Sequence, residues 1–261
     1  MKKIQIITGV LISMIIYACS PDDISSEPIL QATKKKLIKM TYQNNNEDWE
    51  IYFNYNTDNK VSSIKSIQKI DPANSWFKNK VYNYKNGLIV SSSEYYTDQL
   101  VETHTYKYVN NNLTEIITYD KNENITQRRE LTYNSENRIR TIYREYVNNI
   151  YNYFYTYDTN GNVVKMQAND YYTLWKYDTY PKPDSYFSYA NQYIFNIDNS
   201  FNINKNNPVD LTWIHEGETV VYATTSITYD ADNYPIKKIT VPIYADDGTI
   251  GNIRTWTYEY E

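Results

Sequence analysis

The side chains able to carry chemistry are few and scattered. Two histidines, His104 and His215, each stand alone among strand-type residues, with no second His or Cys at ligand spacing, so no metal set is expected. The sole cysteine, Cys19, ends the N-terminal apolar run; if its thiol is consumed there, thiol catalysis and disulfides are excluded. No Gly-rich phosphate loop, His-Glu-x-x-His or Gly-x-Ser-x-Gly occurs, and no cofactor is expected. Asp230-Ala-Asp232 and Asp246-Asp247-Gly248 look like fragments of calcium loops. Both sit where turns are needed, and neither continues with the ligand spacing and terminal Glu of such a loop. The candidate ligand-binding residues are Tyr151, Tyr153, Tyr155 and Trp175, whose flat rings could pack against a sugar face. They serve equally well as cross-strand partners, each pair contributing about 0.2–1 kcal/mol. Arg128, Arg129, Arg138, Arg140 and Arg144 gather positive charge near the centre; the expectation is a solvated sheet face that resists pairing with other molecules, and the alternative is an anion-binding strip.

These residues must be positioned by strands. The stretch from Leu131 to Val163 contains Leu-Thr-Tyr133-Asn-Ser-Glu-Asn137-Arg-Ile139 and Tyr-Thr-Tyr157-Asp-Thr-Asn-Gly161-Asn-Val163, a strand, turn and strand written twice. Tyrosine suits a half-buried pleat because its ring covers apolar area while its hydroxyl stays polar. Asn or Asp opening the turn bonds its own backbone, and Asn or Gly four residues after the tyrosine tolerates positive φ. A short hairpin with a type I turn and a left-handed residue follows. Tyr55 and Tyr229 head further copies, and Tyr84, Tyr108, Tyr133 and Tyr157 are spaced by 24, 25 and 24 residues, two strands per repeat. An insertion is expected near Pro72, and a bulged strand from Val61 to Ile70. From Tyr180 to Pro208 the pattern frays, with prolines and Asn-rich runs that predict irregular loops or edge strands. Asn122-Glu-Asn124 reads as a looser loop, and no stretch keeps a helical apolar period.

The chain has 261 residues, 31 of them Tyr and six Gly, and a formal charge of −5, a balance that disfavours nucleic acid as a partner. Lys2 and Lys3, the apolar run Ile4 to Ile16 and Ala18 before Cys19 resemble a bacterial lipoprotein signal with the lipobox Ile16-Tyr17-Ala18-Cys19. Residues 1–18 are then the signal peptide and 19–33 the lipidated cysteine with a flexible tether, leaving 34–261 as one folded domain. Several acyl chains on Cys19 would hold the protein on a bilayer, since each buried CH₂ contributes about 0.8 kcal/mol. The acidic Ser20-Pro21-Asp22-Asp23 resembles a surface-export signal of Bacteroidota lipoproteins.

Tyr155-Thr-Tyr157-Asp158-Thr-Asn-Gly161-Asn162 is similar to the YD (RHS) repeat of bacterial surface proteins. The leader followed by a Tyr- and Asn-rich β region resembles a Bacteroidota surface lipoprotein family of unknown function with a porin-like β fold. The resemblance implies a fold and a compartment and supplies no catalytic residues. The expected fold is all-β, an antiparallel meander of repeated hairpins, a dozen or more strands in a curled or barrel-like sheet. Lys, Arg, Glu and Asn throughout the strands argue against a membrane-spanning barrel. The expected protein is an outer-membrane lipoprotein facing the cell exterior, a non-catalytic binding or structural module for glycans or another surface protein. The alternative is a carbohydrate-active hydrolase using an Asp/Glu pair between Tyr180 and Pro208.

Overall fold

Alternating tyrosine and β-branched residues punctuated by Asn-rich turns favour strands joined to their sequence neighbours, and the chain follows this throughout. The computed structural model describes residues 35–69, 77–146, 149–185, 187, 189–195 and 204–261. The leader, Cys19 and Pro72 lie outside them. The strands are β1 (Leu37–Gln43), β2 (Asp48–Tyr55), β3 (Val61–Gln68), β4 (Phe77–Lys85), β5 (Leu88–Tyr96), β6 (Gln99–Val109), β7 (Asn112–Asp120) and β8 (Ile125–Tyr133). They continue as β9 (Ile139–Tyr146), β10 (Asn149–Tyr157), β11 (Val163–Ala168), β12 (Tyr171–Pro181), β13 (Asn206–His215), β14 (Glu218–Tyr229), β15 (Pro235–Tyr244) and β16 (Arg254–Tyr260). Each strand pairs antiparallel with the next, and β1 closes on β16 with Leu37 opposite Tyr260, so the sheet is a closed barrel. Closure leaves no edge strand to template aggregation.

One end of the barrel is built from the predicted unit. Asn56, Asn134 and Asp230 each accept backbone N–H groups two and four residues on, at 2.9–3.0 Å. The residues three positions after these turn openers, Asn59, Asn137 and Asn233, have positive φ, as does Gly161 after Asp158. The same turn recurs at the opposite end after Tyr119: Asp120 accepts from Asn122 and Asn124, and Glu123 takes the left-handed position. After Tyr84 and Tyr108 the turns are shorter, with Asn86-Gly87 and Asn110-Asn111 as two-residue loops, both residues at positive φ as a type I′ hairpin requires.

The turn tyrosines have a second role. Tyr55, Tyr84, Tyr133, Tyr157, Tyr177 and Tyr260 point inward and donate their hydroxyls to the carbonyls of Leu37, Val61, Leu113, Ile139, Val163 and Pro235, at 2.6–2.8 Å. Each acceptor is the first residue of its strand except Leu113, which is the second of β7. Every acceptor but Leu37 lies at the start of the return strand of the preceding hairpin in sequence, and each of those hairpins carries a one-residue register shift beside its tyrosine, as between Asn54 and Tyr55 and between Lys107 and Tyr108. The hydrogen bonds therefore stitch neighbouring hairpins into a collar around this end. The 24-residue spacing of the tyrosines is the spacing of that collar.

Alternation sorts the wall. Tyr153 and Tyr155 are 5% and 7% exposed while Phe154 between them is 54% exposed. Charged outward residues pair across strands: Lys39 with Glu50 and Glu259, Lys69 with Glu50, Arg128 and Lys107 with Glu115, and Lys176 with Asp210. The inside is apolar over much of its length, with Leu37, Met40, Val61, Ile89, Leu113 and Ile142 nearly inaccessible.

The segment between β12 and β13 behaves differently from expectation. The sequence predicts irregular or edge structure; instead the chain turns into the barrel and forms the short helix α1 (Tyr189–Phe195). Its side chains join the wall residues in one core: the Phe195 ring lies 5.0 Å from Tyr82 and 4.8 Å from Phe187, and Phe187 lies 6.2 Å from Phe53. Seven residues are too few for a helical period to register, and burial against the wall supplies the stability that the isolated helix lacks. β13 itself is paired on both sides. Replacing Phe195 by Ala empties part of this interior filling, and a loss of about 3–5 kcal/mol is expected as a lower urea midpoint.

Candidate functional site

The inner surface changes character toward the end that carries the β5–β6, β7–β8 and β9–β10 turns. On β4 to β9 the inward positions there are Lys78, Lys80, Glu94, Glu102, His104, Gln127, Arg129 and Arg144, set by register: Lys80 opposite Glu94, Glu94 opposite Glu102, Arg129 opposite Arg144. Tyr96, Tyr146, Tyr151 and Tyr171 share this face. The result is a charged, tyrosine-lined mouth above an apolar, filled interior.

Within it, Lys78 Nζ meets Glu94 Oε1 at 2.7 Å. His104 Nδ1 lies 3.0 Å from Thr118 Oγ1, whereas Nε2 is buried without a hydrogen-bond partner, 3.8 Å from Glu102 Oε2. Burial, reinforced by Lys80, Arg129 and Lys78, holds the imidazole down to about 2, so it is neutral at physiological pH. Lys80 keeps slight solvent access but is surrounded by protein, and desolvation brings its amine down to about 8. Glu102 is raised by burial and then by the charge of Glu94. Arg129 donates Nε to Gln127 Oε1 at 2.5 Å.

The sequence candidates are distributed as follows. Tyr151, Tyr153 and Tyr155 all face inward, and Tyr151 and Tyr153 stack with centroids 6.3 Å apart. Trp175, two strands away on β12, is 9% exposed and lines a cavity of about 700 Å³ with Leu174, Leu211 and Tyr222. The structure thus brings Tyr151 to the mouth and leaves Trp175 apart from it. His104 joins Glu94 and Glu102, the ligand atoms lying within 4.8 Å of one another, and His215 joins Asp170 and Glu216 at an exposed pair of turns. Between Tyr180 and Pro208, Asp184 is the only carboxylate among the described residues, and it is paired with Lys182 at 3.1 Å. Of the five central arginines, Arg128 and Arg140 face outward as expected; Arg129 and Arg144 face inward, sharing a face with the buried Leu131 and Ile142. Residue parity carried that signal. Glu94 and Glu102 had none, because their proximity arises only from strand register.

No family model matches the chain, and no curated protein matches it in sequence. Solved structures do. A porin-like protein from Bacteroides uniformis aligns with a TM-score of 0.61 at 12% identity, over 86% of this chain and 96% of that one. The likeness is one of fold. A porin-like protein from Bacteroides vulgatus aligns over 87% of this chain and 99% of that one, at 11% identity and a TM-score of 0.42. The fold is therefore one already seen in a solved Bacteroides structure, at 12% sequence identity.

Proposed function

We propose that the protein is an outer-membrane lipoprotein held through acylated Cys19, its barrel standing clear of the bilayer and acting as a non-catalytic binding module for glycans. The polarity of the wall carries this reading. Ion pairs such as Lys39–Glu50 and Arg128–Glu115 punctuate the outside, where exposed apolar residues such as Ile150 and Phe154 stand among them, and the packed apolar core is inside. A spanning barrel needs the reverse, since an Arg or Lys facing lipid at the midplane costs about 2–4 kcal/mol. The Bacteroides neighbours named porin-like support the compartment. The filled interior favours binding at the mouth over passage through the barrel.

In cells supplied with a clickable palmitate analogue, the full chain is expected to take up label and fractionate with the outer membrane. A Cys19→Ala variant is expected to lose both. Retention of that variant in the outer membrane would mean the barrel itself is inserted, and the reading would fall. A glycan array is expected to give binding without turnover.

A hydrolase is the second reading, favoured by Glu94 and Glu102. One carboxylate is ion-paired to Lys78 and the other is raised toward its protonated form, the division of labour a glycosidase pair requires. Turnover of aryl glycosides that disappears in Glu102→Gln would establish it.

A further inference from the structure

Three cations inside the mouth lack an anionic partner. Among the described residues, only Lys78 of the inward cations on β4 to β9 is paired with a carboxylate. Arg129 is held by the neutral Gln127. Arg144 lies over the Tyr146 ring at 5.9 Å, with its Nε buried and without a hydrogen-bond partner. Lys80 sits opposite Glu94, but that carboxylate is already engaged by Lys78. A ring face attracts a cation without neutralising it, and enclosed positive charge is unfavourable until something compensates it. Arg129 and Arg144 are direct cross-strand partners, so their like charges oppose each other. Four cations face two carboxylates on this surface, and Asp120 beside them is occupied in capping its own turn.

We propose that the mouth binds the carboxylate of an acidic saccharide, resting on the reading of the protein as a binding module. Arg129 and Arg144 hold the anion, their planar forks matching a carboxylate. Lys80 adds charge. Tyr151, opposite Arg144 in register, and Tyr171 offer ring faces to the pyranose. The same cations weigh against a metal at Glu94, Glu102 and His104, because Lys78, Lys80 and Arg129 surround those ligands and would repel a divalent ion.

The test is calorimetric titration of the full chain in detergent with galacturonate, galactose, inorganic phosphate and Zn²⁺. Galacturonate is expected to bind, with galactose and phosphate each at least tenfold weaker and the affinity falling as salt rises. Arg144→Gln is expected to weaken galacturonate at least tenfold and Arg144→Lys less, since it keeps the charge and loses the fork. Lys80→Met is expected to weaken binding while raising the thermal midpoint of the ligand-free protein, which a purely structural lysine would not do. If galactose matches galacturonate, or a neutral glycan binds and Arg144→Gln leaves it unchanged, the acidic-ligand inference falls and the binding module stands. Phosphate matching galacturonate reduces the site to a simple oxyanion site and overturns the saccharide. Zn²⁺ binding without galacturonate assigns the cluster to metal and overturns it as well. No glycan binding of any kind sinks both readings.

Discussion

Alkaline titration is expected to unfold the barrel cooperatively between about pH 10 and 12, well before backbone chemistry intervenes. The cause is the inward tyrosine set. Burial pushes Tyr84 and Tyr108 up to about 12, and Tyr82, Tyr106 and Tyr155 higher still. A phenol raised in the folded state keeps its proton where the unfolded chain has lost it, so the unfolded state binds fewer protons and stability falls as pH rises above 10. At 1.36 kcal/mol per unit, and halved for partial solvent screening, Tyr84 and Tyr108 account for roughly 3 kcal/mol between them. The more deeply buried rings add to this, and a typical domain holds only about 5–15 kcal/mol in all. Ionisation also removes the donor that Tyr84 gives to the Val61 carbonyl, so the collar opens as the rings charge. Lys80 acts in the opposite direction over an earlier window: its amine is lowered to about 8, so the cost of its buried charge is relieved as pH rises from 8 toward 10.5. The stability profile should therefore rise slightly and then collapse. Absorbance at 295 nm followed together with circular dichroism tests this; phenol ionisation complete while the β signal persists would refute it.

The second large effect lies on the acid side. His104 is held near 2 in the fold against an ordinary value of 6.5. Between those limits the unfolded chain binds a proton that the folded chain refuses, so stability is lost as pH falls below 6.5, at about 1.4 kcal/mol per unit. The loss reaches about 3 kcal/mol near pH 4.5, before most carboxylates titrate. Glu50, held at about 2 by Lys69, Tyr52 and Lys39, adds its own loss only below 4.5. Glu102 is raised and opposes the trend slightly, since it gains its proton more readily in the fold. His104→Gln is expected to flatten the urea-midpoint slope between pH 6.5 and 4.5. An unchanged slope would place the acid sensitivity elsewhere.

Much of the architecture was readable because the repeat is local. Tyr133-Asn-Ser-Glu-Asn137 carries its own turn: the Asn134 side chain accepts the backbone N–H groups of Glu136 and Arg138, and only the residue at 137 must accept positive φ. The turn after Tyr119 reads in sequence only as a looser loop because Glu123 occupies that position, and Glu does not advertise a left-handed conformation. The inward arginines were misjudged for a different reason. Arg129 alternates with Leu131 and so belongs to the inner face, but charge is ordinarily a surface property, and the interior of a wide barrel is the exception. Charged residues there can line a mouth without entering the packed core.

What the residues determined unaided was everything with a reach of a few positions: strand, turn, and the separation of polar from apolar faces. Tertiary structure alone decided that the meander closes, since Leu37 meets Tyr260 only after every intervening register has been summed around the wall. It also decided that Phe187 and the helix Tyr189–Phe195 join the interior rather than bordering the sheet, and that Glu94, Glu102 and His104 meet Lys80 and Arg129. Those contacts depend on the inclination and stagger of neighbouring strands, a property of the whole ring that no stretch of sequence contains.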